Sequence, residues 1–423
     1  MREMKDSGVE WIGKIPVDWK LSKIGSVYDE RNEKVSDKDF VPLSVTKQGI
    51  VPQLETAAKT DNGDNRKLIR KGDFVINSRS DRRGSCGISE YEGSCSLINT
   101  VLKPQTNMCN RYYGFVFKSD GFADEYYRWG HGIVDDLWST KWIDMKSIYI
   151  PAPDITEQER IADYLDAKCS KIDEIIEKQQ AIIEKLKAYK LSIITEAVTK
   201  GLNPDVKMKN SGYEYIGDIP NYWNVCRLRN YGSAQNGISK GGEYFGTGFP
   251  FVSYGDVYRN YALPNRVDGL INTTEEERKK YSVEEGDIFF TRTSETIEEV
   301  GFSAVCNKTI PNATYAGFVI RVRPFIDMLT LGFAKYYFRS KHLRVYFAKE
   351  MNLVTRASLG QDLLKSMPLL VPPKDEQCKI TEYLDKKCNL IDSNIYEKGR
   401  LIIKLQEYKK SLIYEVVTGK KEV

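Results

Sequence analysis

The sequence predicts an α+β protein with an internal pseudo-two-fold repeat: two mixed α/β domains separated by a pair of long antiparallel coiled-coil helices. Three observations carry this. Residues 4–21 (MKDSGVEWIGKIPVDWKL) and 208–225 (MKNSGYEYIGDIPNYWNV) share ten of 18 positions at an offset of 204. Residues 146–199 align without gaps on 365–418 at an offset of 219, with 24 identities in 54 positions. In both copies of this second block, from Ile161 and from Ile380 onward, apolar residues recur in alternating steps of four and three. Offsets above 200 residues far exceed the period of stacked solenoid units, so each half is a duplicated domain.

The elements follow in chain order. The first domain covers residues 1–155, with short strands expected at Phe74–Asn77 and Val101–Pro104 and an aromatic-rich helix over Asn110–Trp129. Pro151 and Pro153 keep the chain extended, and Thr156-Glu157-Gln158-Glu159 reads as a capping box opening the first long helix, residues 156–202 with its linker. Its seam runs Ile161, Leu165, Cys169, Ile172, Ile176, Ile183, Leu186, Ile193, Ala197. Gly201 and Pro204 end it. The second domain, residues 203–374, carries expected strands at Ile288–Thr291 and Phe318–Arg323 and a helix over Met328–Glu350. Residues 375–423 form the second long helix, with the seam Ile380, Leu384, Cys388, Ile391, Ile395, Ile402, Leu405, Leu412, Val416 and Gly419 beyond its end. A period near 3.5 sustained this long argues a coiled coil. Roughly 43 residues at about 1.5 Å each give a rod on the order of 60 Å. Two such stripes in one chain bury each other most economically, and an antiparallel pair puts the two variable domains at opposite ends. Gln179 and Lys190 interrupt the first seam where Lys398 and Lys409 interrupt the second; they read either as register-fixing polar positions or as core defects covered by neighbours.

Between the anchors the halves diverge. Gly72-Asp73-Phe74-Val75 echoes Gly286-Asp287-Ile288-Phe289, and Phe117-Lys118-Ser119 echoes Phe338-Arg339-Ser340. Tyr112, Tyr113, Phe115 and Phe117, like Tyr336, Tyr337 and Phe338, read as core in preference to base-stacking platforms.

Composition sets the class. Hydrophobic residues are 41% and charged residues 29% of 423, a globular balance too long for one core. No apolar run approaches a membrane span, and the opening Met1-Arg2-Glu3-Met4-Lys5-Asp6 is no signal peptide, so a cytoplasmic protein is expected. Eight cysteines without a CxxC pair and two histidines, His131 and His342, argue against zinc and for reduced core thiols. A net charge of +4 permits nucleic-acid binding without arguing for it. Catalytic signatures are missing: no Asn/Asp-Pro-Pro-aromatic motif for adenine methylation, no glycine-rich cofactor fingerprint after a strand, no GxxxxGK[ST] loop. Any chemistry is expected from partners, and no metal or cofactor is expected on this chain.

The segments SGVEWIGKIPVDW, PDITEQERIADYLD and VTKGLNPDVKMKNSGYEYIGDIPNYW closely resemble the specificity subunits of type I restriction–modification systems. The likeness spans the chain in the right order but is strongest at these anchors. It implies two target recognition domains, each reading half of a split double-stranded DNA site. It implies helices that set the spacer and dock two methyltransferase (modification) subunits, with restriction subunits joining them. S-adenosylmethionine and ATP would then belong to those partners alone, and the diverged halves would read an asymmetric site. The implied docking positions are the seam residues Ile161, Leu165, Ile172, Ile176, Ile183, Leu186, Ile380, Leu384, Ile391, Ile395, Ile402 and Leu405.

Candidate DNA-facing residues are those with guanidinium or hydroxyl groups on loops after strands. Arg79, Ser80, Arg82 and Arg83 follow the Phe74–Asn77 strand and offer forks suited to phosphate or to guanine O6/N7. Arg292, Thr293 and Ser294 are their counterparts. Near the end of each domain stand Lys141 and Trp142, and Arg356 with Gln361; the Ser239-Lys240-Gly241-Gly242 loop can reach a phosphate through backbone amides. The competing reading of the first cluster is a solvated turn with an internal salt bridge to Asp81. Two other functions stay open: an orphan specificity subunit directing methylation only, and a coiled-coil assembly protein that binds no DNA.

Overall fold

Each repeat opens on a hairpin that needs glycine. Met4–Asp6 pairs with Lys14–Pro16, and Met208–Asn210 with Asp218–Pro220, antiparallel and in the same register. Gly8, Gly13, Gly212 and Gly217 in the two turns take φ between +67° and +84°, a region costly for residues with a Cβ. That accounts for the repeated glycines among the anchor identities. The computed structural model describes residues 2–55, 63–132, 138–294, 300–350 and 357–423.

The chain divides into two units: Met1–Gln180 with Gly399–Val423, and Ala181–Lys398. The first unit is built from both ends of the sequence, and the second is the contiguous stretch between them. Each takes one variable domain, the adjoining part of one long helix and the opposite end of the other, so that within each unit the two helices run antiparallel. The helices span Ile155–Lys200 and Lys374–Val417, 46 and 44 residues. Gly201 and Gly419, at φ +75° and +69°, follow their ends.

Inside both units lies the same four-stranded antiparallel sheet. In the first the order is Cys86–Ile88, Phe74–Asn77, Asn99–Pro104, Tyr28–Glu30; in the second it is Ser303–Val305, Ile288–Thr291, Val319–Pro324, Gly232–Asn236. A two-stranded ladder repeats as well, Lys20–Lys23 with Tyr149–Ala152 and Asn224–Arg227 with Pro368–Val371. The second sheets differ. The first unit has Gly93–Cys95, Arg66–Ile69 and Lys34–Val35, all antiparallel. The second has Leu270–Ile271, Phe245–Val252 and Thr314–Tyr315, the last pair parallel. Divergence is thus concentrated in one layer, while the layer beneath the helices is retained.

The main core of each unit joins sheet, aromatic helices and long-helix faces. Trp19, Tyr112, Phe117, Ile161, Leu165 and Val416 belong to the first; Trp223, Tyr337, Ile194, Ile380 and Leu384 belong to the second. All the aromatics weighed as stacking platforms are buried except Phe115, which is half-buried, so they serve as core. Of the twelve seam residues, Ile161, Leu165, Ile172, Ile183, Ile380, Leu384 and Ile391 are buried, and Ile176, Leu186, Ile395, Ile402 and Leu405 are half-buried.

Two expectations need correction. The single helices expected over Asn110–Trp129 and Met328–Glu350 are each two: Asn110–Lys118 and Asp120–Arg128, then Leu331–Tyr337 and Lys341–Glu350. Ser119 is extended (ψ 142°), and its hydroxyl donates to Val116 O at 2.7 Å while accepting from Phe122 N–H at 3.4 Å. Ser340 likewise donates to Tyr337 O at 2.6 Å, so the Phe-Lys/Arg-Ser echo marks a helix break in each half. The cap of the first long helix is also not Thr156. The helix starts at Ile155, and Asp154 Oδ1 accepts the Glu157 N–H at 2.9 Å. A short carboxylate just before the first turn reaches that amide, whereas Thr156 is already inside the turn.

Candidate nucleic-acid interface

In the first unit the strand Phe74–Asn77 runs into a turn in which Ser80–Arg82 form one 3-10 turn. Asn77 Oδ1 accepts the Arg79 N–H at 3.1 Å and starts the bend. A second segment, distant in sequence, lies alongside: Ser80 N–H donates to Trp138 O at 3.0 Å, and Thr140 N–H to Ser78 O at 3.0 Å. Arg79 faces Ser139 in an antiparallel bridge. The structure therefore brings the Arg79–Arg83 turn and the Lys141-Trp142 segment together. Lys141 is exposed; Trp142 opens the short helix Trp142–Met145 and is half-buried against the core.

Electrostatics at this turn are local and weak. Asp81 lies 3.1 Å from Arg79 and 3.5 Å from Arg82, so the internal salt bridge weighed from sequence is present. Arg83 pairs with Asp124. The side chains of Arg79, Arg82 and Arg83 are 37%, 68% and 51% exposed. Pairs this exposed contribute about 0–1 kcal/mol, too little to keep a phosphate from competing for the guanidinium. The same turn can be an ion-paired surface in the free chain and a cationic one against a polyanion.

The second unit repeats the arrangement. Beyond Ile288–Thr291, half-buried Arg292 donates its N–H to Phe318 O at 2.9 Å and accepts from Leu359 N–H at 2.7 Å. Thr293–Ser294 then pairs antiparallel with Ala357–Ser358. Gln361 opens the next helix, and its Nε2 donates to Asn236 Oδ1 at 3.0 Å. Arg356 lies outside the described residues. In both units, then, the segment that follows one central strand meets the segment that precedes the closing strand.

Lys240 stands apart from both groups. Its ammonium donates to Glu277 Oε2 at 2.7 Å and to Asn272 O at 2.9 Å, and sits 4.8 Å from the Tyr244 ring centroid. That contact and the Thr274 N–H hold the Glu277 carboxyl below its usual range. The side chain ties its loop to the helix Glu275–Lys280, leaving exposed Gly241 and Gly242 as the backbone that could approach an anion.

Sequence reasoning missed two positioning residues, Gln158 and Gln377. Gln158 accepts the Cys109 N–H at 2.9 Å and donates to Pro153 O at 2.8 Å; Gln377 accepts the Thr330 N–H at 2.7 Å and donates to Pro372 O and Met328 O at 2.9 Å. Each fixes the start of an aromatic helix to the start of a long helix. Their signal was the Glu-Gln pair shared by the two halves. Among the described residues no cluster of three or more His, Cys, Asp and Glu side chains could hold a metal ion, and no helix is long and apolar enough to cross a membrane.

Residues 223–404 match a family model described as the type I restriction modification DNA specificity domain. The type I restriction enzyme EcoKI specificity subunit of Escherichia coli K12 is 22% identical over 436 residues, covering 96% of this chain and 90% of that protein. The StySPI specificity subunit of Salmonella potsdam is 20% identical over 361 residues, with 83% and 75% covered. Among solved structures, a chain from a study of complex assembly and conformational transition of the type I restriction–modification system superposes with a TM-score of 0.73 at 15% identity, covering 96% of this chain and 99% of that one. The HsdS subunit from Thermoanaerobacter tengcongensis gives 0.52 at 16% identity, with 98% and 100% covered. The fold matches along nearly the whole chain in both, and the sequence relatives are named for one role. Residues 223–404 thus match the type I restriction modification DNA specificity domain, and along nearly its whole length the chain is similar in sequence and fold to type I restriction–modification specificity subunits.

Proposed function

We propose that this chain is the non-catalytic DNA reader of a type I restriction–modification complex. Each unit reads one half of a split, asymmetric double-stranded site, and the long helices set the unread spacer. Two methyltransferase subunits dock on the helices, restriction subunits join them, and S-adenosylmethionine and ATP act on those partners alone, in the cytoplasm. The observation that carries this reading is the repeated junction of two candidate DNA-facing segments over one retained sheet, set beside a second layer free to differ. A reader whose specificity changes while its docking parts stay fixed needs that division.

The helix surfaces support paired docking. Ile182 and Leu401, and Tyr189 and Tyr408, correspond under the offset of 219, and all four are exposed large hydrophobic or aromatic side chains. Apolar groups left in water on a soluble chain call for a partner, and equivalent groups in both units fit two copies of one partner. Arg79, Ser80, Arg82, Arg83 and Lys141 in the first unit, and Arg292, Thr293, Ser294, Arg356 and Gln361 in the second, are the proposed contacts to phosphates and base edges.

The modular claim is tested by exchanging residues 22–145 for those of a relative with a known target. One half of the methylated motif should change and the other should stay. A change in both halves would contradict independent reading by the two units.

A further inference from the structure

The apolar seam of each long helix carries a lysine, and in each unit that lysine meets an aspartate of the opposite helix. In the second unit Lys190 Nζ lies 2.8 and 2.6 Å from the carboxylate oxygens of Asp392, and 5.1 Å from the Tyr261 ring centroid. In the first unit Lys409 Nζ lies 2.7 and 2.6 Å from those of Asp173. Under the offset of 219, Lys190 corresponds to Lys409 and Asp173 to Asp392. Each pair thus joins the lysine of one copy to the aspartate of the other.

This exchange discriminates between helix arrangements that the apolar stripe alone does not separate. A parallel pairing in register would set Lys190 against Lys409 and Asp173 against Asp392, like charge on like charge. An antiparallel pairing slipped by one heptad keeps the apolar stripes facing but changes what the lysines meet. One slip brings Lys190 to Gly399 and Lys409 to Gln180, which carry no charge. The other brings them to Asp385 and Asp166, seven residues before Asp392 and Asp173. Those two carboxylates are already held by the globular parts. Arg111 Nη1 donates to Asp166 at 2.7 Å, and Lys335 Nζ and Tyr336 OH each donate to Asp385 at 2.6 Å. Only the observed register gives every one of these four aspartates a cation.

We propose that Lys190–Asp392 and Lys409–Asp173 are an orientation-and-register selector for the helix pair, with Asp166 and Asp385 withdrawn from competition by the globular parts. The pairs act on uniqueness of pairing more than on its strength, since a polar seam position commonly lowers stability while specifying partner geometry.

The test separates those two effects. Spin labels are placed at Ala188→Cys and Asn394→Cys of the full chain, in a background with Cys378 and Cys226 changed to serine. Wild-type pairing should give one narrow distance distribution by double electron–electron resonance. The Lys190→Met, Lys409→Met variant should melt no lower than the parent, yet gain a second population displaced by about one heptad, ~10 Å along the helix. Lys190→Asp with Lys409→Asp should broaden the distribution. Adding Asp173→Lys and Asp392→Lys, which reverses every charge of the two pairs, should restore the single peak. A single wild-type peak in the methionine variant would overturn the proposal. So would failure of the full reversal to restore the peak while circular dichroism reports intact helices.

Discussion

His342 lies 97% out of solvent in the second unit, with Nδ1 2.9 Å from Ser340 Oγ and its ring 5.1 Å from that of Tyr337. Burial first, and the nearby Arg344 charge second, push its pKa down to about 3. The folded state therefore keeps the imidazole neutral where the unfolded chain, near 6.5, would protonate it. Unfolding takes up a proton between those values, so the stability of this unit should fall with pH from about 6.5 toward 3, by up to ~1.4 kcal/mol per pH unit. Calorimetry of the second unit's transition across that range should show a shallower acid slope in His342→Gln than in the parent; equal slopes would mean the ring is not the group responsible. Other buried polar groups are held by neighbours that no local pattern reveals. Asp73 and Asp287, the echo seen in sequence, cap equivalent turns by accepting the Arg70 and Glu284 N–H groups, each at 2.8 Å. Both carboxylates bind an arginine, yet Arg31 comes just after the edge strand Tyr28–Glu30 and Arg323 from the inner strand Val319–Pro324. The aspartates were legible because a turn is local. Their arginines were not, because which strand lies alongside is decided by the sheet.

At the scale of elements, the long helices were the most legible part of the chain. Their seam period and their terminal glycines follow from spacing alone, and so does the need of each stripe for a partner, but not the register of the pair. What the spacing left open was the meaning of Lys190 and Lys409, read equally as register devices or as covered defects. The answer lay in Asp173 and Asp392, exposed-face residues by periodicity that acquire a role only across the helix pair. Ser119 and Ser340 were missed for the opposite reason. Aromatic runs on either side share a helical period, while the break rests on a single hydroxyl competing for backbone. If the helices measure the spacer, inserting one heptad within residues 157–199 should change the number of unread bases in the methylated motif or abolish assembly with the methyltransferase. Full activity with unchanged spacing would remove the ruler role.

Across the whole molecule, duplication explains both what was readable and what was not. The anchors stayed alike because hairpin glycines, buried Trp19 and Trp223, the Gln158 and Gln377 clamps and the helix seams serve one layer common to both units. The second sheets drifted into different topologies, while the candidate contacts of both units follow equivalent strands of the retained sheet. Sequence marked the Arg79–Arg83 turn and the Lys141-Trp142 segment separately; only the fold shows that they adjoin. For Lys240 it marked a cation that the fold commits to Glu277. The central claim is that this chain alone supplies the target sequence to partners that perform the chemistry. Methylome sequencing tests it most directly, comparing a host that expresses the chain with its methyltransferase subunit against one expressing the methyltransferase alone. The account predicts a new split, asymmetric motif with N6-methyladenine on both strands, present only with this chain. Co-purification of the two proteins with no new motif would contradict DNA reading and leave an assembly role or an inactive orphan.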